Sequence, residues 1–157
     1  MKKLAVVLLS ALALTTLFAC GGSGSTSSSV ENKNYGKGKE MSLAFETNPS
    51  TGYDWQYEFK DGDAELVFER EDIKQKDEAG TVGGPMIRTY FFRANKAGNT
   101  TLVFTYKRPW EGGETEYDVV YDLSVDENLV ITCKDKKKGE IKTDKELDFF
   151  PNPVFTE

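Results

Sequence analysis

Residues 41–59 read MSLAFETNPSTGYDWQYEF, and the reading of this stretch decides the fold. Met41, Leu43 and Phe45 alternate with small or polar neighbours, the period-2 pattern of a strand with one face on a core. Trp55, Tyr57 and Phe59 repeat that pattern on the far side. Between the two runs, Asn48 is pressed into extended backbone by the proline that follows, and Pro49 fixes its own φ. Ser50 and Thr51 are able to bond nearby main chain, and Gly52 admits a positive φ. The stretch predicts a strand, a stiff displayed loop and a second strand. Displayed loops on a rigid scaffold are where binding residues concentrate.

Outward from this unit the same grammar continues. Val30–Tyr35 reads as a weak first strand, followed by a turn at Gly36-Lys37-Gly38. Lys60-Asp61-Gly62-Asp63 closes the second strand of the quoted unit, and Leu66 and Phe68 open another that runs to about Ile73. Gln75–Met86 (QKDEAGTVGGPM) is polar and then glycine-rich, a long loop. Arg88–Asn95 carries Tyr90 and Phe92 on one face, and Lys96-Ala97-Gly98-Asn99 turns into Thr100–Lys107. After Arg108-Pro109-Trp110-Glu111-Gly112-Gly113, the strand Thr115–Val125 alternates through Tyr117, Val119, Tyr121, Leu123 and Val125. About seven to eight short strands at regular spacing, with no helix-period stretch beyond the leader, predict an all-β, immunoglobulin-like β-sandwich.

Composition narrows the chemistry. The chain has 157 residues, 38% hydrophobic and 12% aromatic, which suits one domain with appendages. It contains no histidine, so Ser-His-Asp and Cys-His catalysis and His-ligated metal sites are excluded. Asp61-Gly62-Asp63 is too short for an EF-hand loop and reads as a turn, leaving no expected metal or cofactor. Net charge is −6; without Lys2 and Lys3 of the leader, 18 basic residues face 26 acidic ones, a balance of −8. That sign argues against nucleic acid or an anionic membrane surface as the ligand.

The ends of the chain differ from its middle. Met1–Ala19 has two lysines and then an apolar run that ends abruptly, the pattern of a secretion signal. It ends at Leu17-Phe18-Ala19-Cys20, which resembles a bacterial lipobox and implies lipidation of Cys20. Residues 20–29 (CGGSGSTSSS) then form a flexible tether. The expected placement is the bacterial cell envelope, outside the cytoplasm, with membrane contact through the lipid alone. The globular domain is expected over 30–125. Beyond it, 126–157 reads as an extension: Leu129–Cys133 as an added strand with Cys133 a buried small side chain or a reactive thiol, and Lys136-Lys137-Lys138-Gly139 as a solvated turn. The apolar run Phe149–Phe155 should dock somewhere, at a place the sequence does not name.

Three loops combine unusual chemistry: residues 48–53, the glycines around 80–84, and Arg108-Pro109-Trp110. In an immunoglobulin-type sandwich the B–C, D–E and F–G connections gather at one end, and these loops fall at those places. The trio resembles the chagasin family of inhibitors of papain-like cysteine peptidases, whose pattern is N-P-T-T-G-[YF]-x-W, then G-x-G-G, then R-P-W. Here the first motif is Asn48-Pro49-Ser50-Thr51-Gly52-Tyr53-Asp54-Trp55, with Ser50 for the first Thr, and the third is intact. The second departs: Thr81-Val82-Gly83-Gly84 keeps the last two glycines. The resemblance spans Glu40 to Val125.

The resemblance implies a monomeric, tight-binding, reversible inhibitor rather than an enzyme. The Thr51-centred loop would enter the peptidase cleft while the other two grip its walls. The implied contact set is Asn48, Pro49, Ser50, Thr51, Gly52, Tyr53, Val82, Gly83, Gly84, Arg108, Pro109 and Trp110. Within it Trp110 is the apolar anchor, Arg108 braces its loop or bonds the rim, and Tyr53, like Trp55, leans toward structural support. A surface module that uses the same loops for another protein or a glycan is the competing reading.

Overall fold

The computed structural model describes residues 33–76, 84–110 and 112–157. The expected signal, Cys20, the tether, the start of the expected first strand, and Val82 and Gly83 lie outside these residues. Nine strands follow in order: β1 (Lys37–Gly38), β2 (Glu40–Thr47), β3 (Asp54–Gly62), β4 (Glu65–Gln75), β5 (Met86–Lys96), β6 (Gly98–Lys107), β7 (Thr115–Val125), β8 (Ile131–Lys138) and β9 (Val154–Thr156). They make two antiparallel sheets, β1-β8-β7-β6-β3 and β4-β5-β2-β9. This is the expected β-sandwich.

The core forms where the alternating faces meet. Met41, Leu43 and Phe45 of β2 and Tyr90 and Phe92 of β5 face Leu102, Phe104 and Tyr106 of β6 and Val119, Tyr121 and Leu123 of β7, all buried. Trp55 packs on Phe45 with ring centroids 4.2 Å apart, and its indole N–H donates to the Glu46 carbonyl at 2.8 Å. A buried aromatic of this size contributes on the order of 2–3 kcal/mol through removal of apolar surface from water.

Several expectations are corrected. Lys33–Tyr35, the described part of the expected first strand, is not strand, and Lys37–Gly38, expected in a turn, forms β1, paired with Thr132 and Ile131. Phe59, expected on the core face, stays 37% exposed, and Phe68 of β4 is likewise 38% exposed, because β3 and β4 are the outer strands of their sheets. The lysine run is strand rather than turn. In the β7–β8 pairing Leu123 faces Cys133 but Asp122 faces Asp135, so a bulge shifts the alternation by one residue and turns Lys136 inward opposite Tyr121. Lys134, Lys137 and Lys138 remain exposed while Lys136 is buried, with its ammonium bonded to the Phe150 carbonyl at 2.9 Å and Asn152 Oδ1 at 2.6 Å.

Those two bonds also show where the tail docks. Tyr121 donates its hydroxyl to the Pro151 carbonyl at 2.8 Å, and Phe150 is buried beside Trp55 and Tyr117. Gly139, at the exit of β8, lies so close to the Asp118 carboxylate that a Cβ there would collide with it. That carboxylate accepts the backbone N–H groups of Glu140 and Ile141 at 3.0 and 2.9 Å, which starts the tail across the sandwich. Residues 126–157 thus supply an inner strand to one sheet and an edge strand to the other. Cys133 is buried, and burial pushes its thiol up to about 12, the behaviour of a small packed side chain rather than a reactive one.

Candidate functional site

Strand register places the three connections at one end of the sandwich. Thr47, the last residue of β2, pairs with Met86, two residues after Gly84. Asp54, the first of β3, pairs with Lys107, and Lys107 with Thr115, on either side of the Arg108–Glu114 connection. The β4–β5 pairing continues to Gln75 and Met86, and the Lys76 N–H donates to the Pro85 carbonyl at 3.0 Å. The D–E connection therefore leaves the same end as the other two.

Residues 48–53 fold on themselves. Pro49–Thr51 forms a single 3₁₀ turn capped by Asn48, whose side-chain oxygen accepts the Ser50 N–H at 3.2 Å and the Ser50 hydroxyl at 2.6 Å. The Thr51 hydroxyl donates to the Asn48 carbonyl at 2.7 Å and accepts the Tyr53 N–H at 3.3 Å. Gly52 closes the turn at φ 76°, a conformation that costs other residues steric strain. Pro49, Ser50 and Thr51 are exposed at the tip. Below it, Arg88 pairs with Asp54 at 2.6 Å, and Asp54 accepts the Trp55 N–H at 2.9 Å.

Residues 108–110, 112 and 113 are shaped by their neighbours instead. The Arg108 N–H donates to the Glu114 carbonyl and the Gly113 N–H to the Trp110 carbonyl, both at 3.0 Å. The Arg108 guanidinium lies 4.9 Å from the centroid of Tyr53 and 5.5 Å from that of Trp110, a cation held between two rings. The far edge of the Trp110 indole stands against Gly52, where a Cβ would sit 3.4 Å from it, and Pro109 is exposed. Trp110 is 55% exposed, an indole braced from below with its outer face in water.

Tyr53 joins the two loops. It is 8% exposed, and its hydroxyl donates to Glu114 Oε2 at 3.0 Å. Burial, and then the Glu114 carboxylate, raise its pKa above the ordinary tyrosine value, so the phenol stays protonated and donating. Tyr53 belongs beneath the surface that the other loop residues form, as support. Sequence reading missed Glu114, Asp54 and Arg88 as the framework of this end, since charged residues in strands and turns carry no signal of their distant partners. Among the described residues no group of three or more Cys, Asp or Glu is placed to hold a metal.

Residues 34–125 match the model of the chagasin family of peptidase inhibitors, I42, over well more than half of the chain. The protein belongs to that family. The match begins at Asn34 rather than Glu40 and ends at Val125, leaving the tail outside it. The chain is similar to Amoebiasin-2 of Entamoeba histolytica, at 37% identity over 75 residues, 47% of this chain and 59% of the relative. The match thus spans less than two thirds of that relative's length. It is also similar to the cysteine protease inhibitor EhICP2 of Entamoeba histolytica, whose crystal structure aligns with a TM-score of 0.47 at 32% identity, over 55% of this chain and 78% of that one.

Proposed function

We propose that this chagasin-family chain is a tight-binding, reversible inhibitor of papain-like cysteine peptidases, held at the bacterial envelope by a lipid on Cys20. The observation that carries the reading is the loop end itself: an exposed Trp110 braced against Gly52 beside a self-capped turn at 48–53. Family membership supplies the class of activity.

The geometry explains how such a loop would occupy a cleft without being cut. A peptide bond is attacked when its carbonyl is presented in an oxyanion site at the right angle. Here the Asn48 carbonyl accepts the Thr51 N–H at 3.0 Å as well as the Thr51 hydroxyl, and the Pro49 carbonyl accepts the Gly52 N–H at 3.2 Å. Both are engaged inside the turn. Because the turn is built before binding, little conformational entropy is lost when it enters the cleft. Trp110 then adds the desolvated aromatic contact typical of an interface hot spot. Gly84 and the glycines before it would admit close backbone approach on the other wall.

Titrating papain with the full chain, with a small substrate as reporter, tests the reading. Slow, reversible and stoichiometric loss of turnover is expected; full activity at micromolar protein would overturn it. The tether is checked separately: Cys20→Ala should move the protein from the membrane fraction to the soluble one without changing inhibition.

A further inference from the structure

The loop end carries a second exposed ring that does not come from the family-matched residues. A ladder of contacts crosses the inner face of the β1-β8-β7-β6-β3 sheet at this end. It runs from Trp110 through the Arg108 guanidinium to Tyr53, then to Tyr106 at 5.4 Å, Tyr117 at 5.1 Å and Phe149 at 5.4 Å. The middle rungs, Tyr53 and Tyr106, are buried, while the terminal rings, Trp110 and Phe149, are 55% and 49% exposed. Phe149 packs edge-on against Tyr117, a residue that β8 does not reach: the β7–β8 pairing ends at Val119 and Lys138.

We propose that Phe149 is a fourth contact with the peptidase gripped by the three loops, an inference that rests on the inhibitor reading. The ring is held as a binding group should be. It ends the 3₁₀ turn Leu147–Phe149, whose N–H groups at Phe149 and Phe150 donate to the Glu146 and Leu147 carbonyls at 3.0 and 3.2 Å. The next residue, Phe150, is fully buried and its carbonyl is bonded to Lys136. A preorganised aromatic costs little entropy to immobilise. Beside it, β9 pairs with β2 at Glu40–Ser42 and no further. The open upper edge of β2 therefore leaves a hollow of about 340 Å³, lined by Glu46, Trp55, Ile87, Phe149 and Pro151. Glu46 lies two residues before Asn48, which puts this hollow at the end of β2 that leads into the 48–53 loop. The occupant that fits is the rim of the same enzyme, beside its cleft, with an apolar side chain entering the hollow.

The test compares inhibition constants of the full chain and Phe149→Ala against papain, with melting temperatures for both. Phe149→Ala is expected to weaken inhibition about tenfold with the melting temperature nearly unchanged, the scale of a single well-packed interface aromatic. An unchanged constant at unchanged stability overturns the proposal, and does so most pointedly if Phe149→Ala abolishes self-association, which would assign the ring to a second copy of the chain. If the substitution lowers stability, amide hydrogen exchange of the unaltered protein decides. Slower exchange at 147–150 on adding papain supports the contact, and no change overturns it. Failure of the unaltered chain to inhibit would instead remove the inhibitor reading itself.

Discussion

The loops at 48–53 and 108–113 share one end of the sandwich but hold their shapes by different means. In the first, Asn48, Ser50 and Thr51 bond to residues two or three positions away, and Gly52 closes the turn. In the second, the guanidinium and indole rest on Tyr53 and Gly52 of the first loop, more than fifty residues distant. One loop is a local object; the other depends on it. Rigidity and exposed apolar surface are correspondingly divided. The self-capped loop offers a rigid tip with its polar groups engaged internally, and the dependent loop offers a large exposed ring.

The comparison breaks first at Trp110. Trp110→Ala should weaken inhibition by about 2 kcal/mol, roughly 30-fold, because a central interface Trp contributes at that scale. The melting temperature should stay put, since the outer face of the ring is in water. Equal inhibition by the variant would show that the dependent loop is not an anchor. Asn48→Ala comes next. Loss of a cap that accepts two bonds should cost about 1 kcal/mol of stability, and the loosened tip should inhibit less well, as urea melts and an inhibition assay would show.

Smaller effects sharpen the link between the loops. Tyr53→Phe removes the hydroxyl that reaches Glu114. It should lower stability by about 0.5–1.5 kcal/mol, the usual net value of one hydrogen bond, and weaken inhibition more than Thr51→Val does. Thr51→Val removes the hydroxyl bonded to the Asn48 carbonyl and the Tyr53 N–H, so a stability loss below about 1 kcal/mol is expected. A fall in inhibition with no change in melting would mean that the Thr51 hydroxyl contacts the enzyme directly.

The smallest effect concerns pH and separates the loops from the core. Burial raises Tyr90 from 10.0 to about 12 and Cys133 from 9.0 to about 12. Both are acids held neutral in the fold, so the unfolded chain loses their protons first. Their contribution is complete below pH 9 and is lost as pH climbs through 9–12. Melting temperature should be level to about pH 9 and fall above it, and Cys133→Ala should make that fall shallower. Inhibition measured below the fall should be the same for both proteins, since Cys133 is far from either loop in strand register.

The legible parts of the molecule are those whose causes lie close together in the chain. Alternation in β2, β6 and β7 foretold the core faces, and Pro49, Gly52 and the intact Arg108-Pro109-Trp110 motif marked two loops at one end of the sandwich. The illegible parts have distant causes. Phe59 and Phe68 show interior spacing, yet their exposure was set by which strands became sheet edges. Lys136 sat in a run that reads as solvated until a one-residue bulge turned it inward. Tyr117 was expected on a core face, but nothing in its spacing, or in that of Tyr106, showed that the two stack into a ladder ending at Phe149.

The sequence by itself determined the strand pattern, the stiff turn at 48–53 and the exclusion of histidine chemistry, because backbone restriction and side-chain alternation act over a few residues. Tertiary structure decided that residues 126–157 complete both sheets, that Tyr53 couples the loops, and that Phe149 stands exposed beside them. Each of those outcomes rests on contacts between segments far apart in the chain, such as Tyr121 with Pro151 and Tyr53 with Glu114, which no local pattern encodes.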